Sequence, residues 1–61
     1  MDIPDLRQYV SAIPIGTDLE ELVYNLKSGR YPRPFSVMVV RLYADMTFEQ
    51  ADNYIARHPA W

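Results

Sequence analysis

Phe35-Ser36-Val37-Met38-Val39-Val40-Arg41-Leu42-Tyr43 carries seven apolar side chains in nine residues, too many for one face of a surface element in a chain of 61 residues. The segment is expected to be the buried centre of the fold or part of an interface. Two conformations compete for it. As a helix opened by Pro34 it lines up Phe35, Met38, Val39, Leu42 and Met46 in one stripe, broadened by Val37, Val40 and Ala44. As a strand it has the β-branched Val37, Val39 and Val40 and a suitable length. A strand needs partners, and the chain contains no second convincing strand. The helix is preferred, and with it an all-α fold. The alternative is α+β with Phe35–Tyr43 as a strand.

Working outward, Arg30-Tyr31-Pro32-Arg33-Pro34 reads as a stiff connector, because each proline biases the residue before it away from the α region. Before it, Thr17-Asp18-Leu19-Glu20 has the form of a capping box opening a helix. Leu19, Leu22, Val23 and Leu26 follow at i, i+3, i+4 and i+7, with acids in the first turn, Lys27 in the last, and Gly29 placed for a left-handed closure. Pro4 is placed to open a first helix reaching about Ala12, with Leu6, Val10 and Ile13 on one face. Pro14 and Gly16 end it, and Ile13 and Ile15 are expected beneath the loop; an extended Gln8–Ile15 is the alternative. Downstream, Thr47-Phe48-Glu49-Gln50 is a second capping box, with Phe48, Ala51, Tyr54 and Ile55 on the apolar face and Pro59 as the stop. The prediction is one domain over residues 1–61 with helices near 4–12, 18–28, 35–45 and 48–58. Its expected core is Leu6, Val10, Leu19, Leu22, Val23, Leu26, Met38, Val39, Leu42, Phe48 and Ile55.

Composition narrows the function classes. Apolar residues make up 49% of the chain and charged ones 23%, the balance of a globular domain. With no Cys and the single His58, neither a disulfide nor a conventional zinc site is available. A domain this small removes only about 60% of its extended-chain surface from water, so one without such staples often gains burial from a second subunit or a partner. The net charge of −2 offers no general attraction to nucleic acid or anionic membranes. No apolar run approaches a membrane span, and Met1-Asp2-Ile3-Pro4 lacks the basic start of a signal peptide, so a soluble cytoplasmic protein is expected.

No catalytic constellation is visible. Ser11, Ser28 and Ser36 have no neighbouring base, Gly16 and Gly29 make no phosphate loop, and His58 falls in a last helical turn where an imidazolium complements the dipole. Asp45, Glu49 and Asp52 read as a solvated acidic helix start. No enzyme, cofactor or metal is expected. Lys27, Arg30 and Arg33 surround Tyr31 and are placed to steer an acidic partner, while Tyr24, Tyr31, Tyr43 and Trp61 are of the types enriched in interface cores. Tyr24, off the Leu19/Leu22/Leu26 stripe, is the tyrosine expected to be most exposed. These residues point to a small protein-binding module or regulator that docks on a partner protein, homodimerises, or both.

Val39-Val40-Arg41-Leu42-Tyr43-Ala44-Asp45-Met46-Thr47-Phe48-Glu49-Gln50-Ala51 resembles the first helix, turn and second-helix start of helix-turn-helix proteins of the sigma-factor region-four type. Asp45 stands where that family has a glycine, and Thr47, Phe48 and Glu49 match in type. The resemblance implies a nucleic-acid-binding transcriptional regulator as the alternative function, with a base-reading helix expected to begin near His58, three residues before Trp61. Arg7, Arg41 and Arg57, scattered among eight acids, speak against a nucleic-acid partner.

Overall fold

The computed structural model describes residues 5–61. Four helices, α1 (Leu6–Ala12), α2 (Leu19–Ser28), α3 (Arg33–Ala44) and α4 (Phe48–Arg57), make an all-α bundle, and no strand occurs among the described residues. The Phe35–Tyr43 segment is helical, and α3 packs against each of the other three helices.

α3 starts at Arg33, two residues before the predicted Phe35, with Pro32 as its cap in an extended conformation. First-turn residues have no intrahelical acceptor for their N–H, so Pro34 loses no bond there and the connector ends at Pro32. The buried side of α3 keeps Val39 of the expected stripe but is centred on Val37 and Val40, which were expected only to broaden it. Ser36, Val37, Val39 and Val40 are fully enclosed, Met38 is half-buried, and Leu42 is 46% exposed. At about 100° per residue, the Val37/Val40/Ala44 face lies roughly two-fifths of a turn from Met38 and Leu42. Both sides are apolar, so periodicity alone does not choose between them. The three packed helices cover the side with the smaller residues.

Leu22, Val23 and Leu26 of α2, Val37, Val39 and Val40 of α3, and Ala51 and Ile55 of α4 form the core. Leu6, Val10 and Leu19 are only partly buried against it. Phe48, predicted inside, is 57% exposed because it occupies the first position of α4, at the edge of the Ala51/Ile55 face.

The helix ends explain other differences. At α1 the cap is the Asp5 carboxylate, which accepts from the Arg7 and Gln8 amides at 2.9 and 3.4 Å; the predicted opening at Pro4 lies outside the described residues. Residues 8–12 are helical, which removes the extended alternative. Gly16, at φ 88°, turns the chain, and the Thr17 hydroxyl donates to the Pro14 carbonyl at 2.7 Å. The expected capping box does not form, because α2 begins one residue later than a Thr17 cap requires, at Leu19. Asp18 is the cap of α2 and makes no side-chain bond, while Ile15 projects fully into solvent rather than under the loop.

At the other end of α2 the left-handed residue is Arg30, at φ 60°, and Gly29 is right-handed. Tyr31 N–H donates to the Leu26 carbonyl and Arg30 N–H to that of Lys27, the paired bonds of a Schellman closure. A left-handed arginine is disfavoured by about 1–2 kcal/mol, but the glycine is needed one residue earlier. A Cβ on Gly29 would lie 2.5 Å from the Tyr31 ring. α3 closes similarly, with Asp45 at φ 55° and Met46 N–H donating to the Arg41 carbonyl.

The second capping box forms as predicted: Gln50 N–H donates to Thr47 Oγ1 at 3.2 Å and Thr47 N–H to Gln50 Oε1 at 3.0 Å. Thr47→Ala is expected to lower stability by about 1 kcal/mol, and Thr17→Ala, which removes no cap, by less. Thermal denaturation of the two variants checks the difference.

Candidate functional site

α4 presents Gln50, Asn53, Tyr54 and Arg57 at i, i+3, i+4 and i+7, so all four share one edge of the helix. Together with Glu20 of α2, Met46 from the turn before α4, and His58 and Pro59 after it, they line an open groove of about 530 Å³. Its apolar surface comes from Met46, Pro59 and the Tyr54 ring, and its polar groups include one acid and one guanidinium.

His58 touches both helices. It is 7% exposed, with the Tyr24 ring edge-on at 4.8 Å and the Tyr54 ring tilted at 5.8 Å. Nδ1 accepts from the Ala60 amide at 3.1 Å, and Nε2 is buried without a partner. The residue is thus a packed joint between Tyr24 of α2 and Tyr54 of α4. Trp61 N–H donates to the His58 carbonyl at 3.0 Å, so residues 58–61 form a turn. A base-reading helix beginning near His58, as the helix-turn-helix resemblance implied, does not form there. Asp45, which stands where that family has a glycine, is left-handed at φ 55°.

The residues predicted to bind a partner are dispersed. Tyr24, 45% exposed, stands beside the groove through its contact with His58 and is the one exposed tyrosine among the described residues. Lys27 Nζ lies 4.5 Å above the half-buried Trp61 ring, a cation–π contact worth about 0.5–1 kcal/mol at an exposed site. The Trp61 indole N–H is buried without a partner. Arg30 is exposed at the left-handed position, and Arg33 pairs with Asp52 at 3.0 Å. With both side chains over 40% exposed, that pair contributes about 0–1 kcal/mol.

Tyr31 and Tyr43 serve the fold. Tyr31 stacks on Phe35 at 5.2 Å and meets Tyr9 edge-on at 5.1 Å, tying α1 to α3. Burial, and then the neighbouring Tyr31 phenol, push the Tyr9 hydroxyl above the ordinary tyrosine range. The Tyr43 hydroxyl donates to the Thr17 carbonyl at 2.6 Å, holding the α1–α2 loop to α3.

Among the described residues no cluster of His, Asp and Glu is placed to hold a metal ion, and no helix is long and apolar enough to cross a membrane. The sequence reading missed Glu20, Asn53 and Arg57 as neighbours. The spacing of 50, 53, 54 and 57 was available to it, but Glu20 comes from a distant helix. No protein-family model, curated protein or solved structure matches the chain.

Proposed function

We propose that this chain is a non-enzymatic protein-binding module, a small cytoplasmic regulator that docks on a partner protein through the groove between α2 and α4. The groove itself carries the reading: an open trough along one helix edge, apolar at Met46 and Tyr54 and bordered by exposed polar groups. A trough of this shape suits a helix or extended segment of another protein, which inserts an apolar side chain and pairs its polar groups along the rim. Tyr24 and Tyr54 offer large amphipathic surfaces with few rotatable bonds, the side-chain type enriched where binding energy concentrates. Arg57, rather than the predicted Lys27, Arg30 and Arg33, supplies the cation at the groove; Arg33 is already paired and Lys27 rests on Trp61.

The nucleic-acid alternative has one supporting observation, the left-handed turn at Asp45 between α3 and α4. With a net charge of −2 and a groove lined by one acid and one arginine, too few phosphates are neutralised to hold a duplex in ordinary salt.

A photo-crosslinking residue in place of Asn53, which is exposed and lines the groove, tests the proposal against one in place of Gln8, exposed on α1 outside it. Protein adducts are expected from position 53 and not from position 8. Absence of adducts at 53, or equal yields at both positions, would overturn it.

A further inference from the structure

The charges of the groove complement themselves, and we infer that its occupant is a second copy of this chain, docked about a two-fold axis so that Glu20 of each copy meets Arg57 of the other. The inference rests on the protein-binding reading above and names the partner.

Glu20 and Arg57 are both exposed and line the same groove, yet the only ion pair among the described residues is Arg33–Asp52. Each groove thus carries one unpaired acid and one unpaired base, and the other lining residues are formally neutral. An isologous interface places one patch against its own copy, so a residue at one position meets its complement only if the patch contains both. A patch with one acid and one base satisfies this twice per dimer. A strongly acidic or basic partner would face repulsion from one of the two charges.

The fold gives a reason for association. Among the described residues eight apolar side chains are fully enclosed. Tyr24 at the rim and Tyr54 in the groove retain apolar surface that a second copy covers. A standard interface takes about 800 Å² from each partner. That is roughly a fifth of the 4339 Å² exposed by one chain, so the contact must extend past the groove over Tyr24.

A charge swap tests the pairing. By sedimentation equilibrium, Glu20→Arg and Arg57→Glu should each weaken self-association more than about tenfold, because each homodimer opposes like charges twice. Mixing the two variants should restore dimers, since the mixed pair has both contacts with opposite charges. Native mass spectrometry with one variant isotopically labelled should find these as heterodimers. Far-UV circular dichroism checks that each variant folds. Glu20→Arg also removes an acid from the first turn of α2; if it does not fold, Glu20→Gln/Arg57→Gln should still weaken self-association, and an unchanged dimer would overturn the inference. Dimers unaffected by either charge reversal would place the interface elsewhere. Failure of mixing to restore association would exclude the reciprocal pairing.

A wild-type chain that stays monomeric at about 1 mM would also overturn the inference. Adducts of position 53 with other proteins would then leave the docking reading standing, and no adducts at all would remove both.

Discussion

Leu22→Ala should lower the stability of the domain by about 2–5 kcal/mol, while Leu42→Ala should stay within about 0.5 kcal/mol. Both leucines occupy apolar helical stripes in the sequence, but Leu22 is 2% exposed in the core and Leu42 is 46% exposed on the outer side of α3. Truncating Leu22 removes packed methyl groups and leaves a cavity between α2 and α3; truncating Leu42 withdraws atoms already half in water. At about 0.05–0.15 kcal/mol per residue, a chain of this length has roughly 3–9 kcal/mol in total. The core variant therefore loses a large part of its folded population. Urea denaturation should show a lowered midpoint for Leu22→Ala with an unchanged slope, and almost no shift for Leu42→Ala. Equal losses at the two positions would return the outer stripe of α3 to the core.

That contrast marks where the sequence stops being readable. α2 was legible because its Leu22, Val23 and Leu26 face is set against Glu20, Glu21, Asn25 and Lys27, so only one side is fit for burial. In α3, Met38 and Leu42 are as apolar as Val37 and Val40, and neighbours contributed from elsewhere in the chain decide which side is covered. Two capping signatures of the same form diverged for a similar reason. Thr47 stands directly before α4 and closes its box, whereas the turn that ties Thr17 to the Pro14 carbonyl leaves Asp18 as the cap of α2.

Aromatic content indicated a binding surface without locating it. Tyr31 and Tyr43 are held by contacts to α1 and to the α1–α2 loop, while Tyr24 touches His58, which lines the groove. The Gln50–Arg57 edge was written in the helical spacing, but Glu20 joins it in the groove lining only when α2 and α4 have packed beside α3.

Gly29→Ala should destabilise the native chain by about 1–3 kcal/mol, although alanine is the better helix former by up to about 1 kcal/mol. The backbone at 29 is right-handed, so conformation does not require glycine there. What requires it is the Tyr31 ring, whose Cε2 and Cδ2 would lie 2.5 and 2.9 Å from the new methyl group. The ring has little freedom to withdraw, because it is stacked on Phe35 and abutted by Tyr9. Moving it would loosen the contact through which α1 is joined to α3. In a Tyr31→Ala background the obstacle is gone, and the same substitution should be neutral or stabilising by its helix propensity. A double-mutant cycle in urea should therefore give a coupling above about 1 kcal/mol. Equal effects in both backgrounds would mean that the ring is free to move aside, and that the aromatic cluster does not fix the closure of α2.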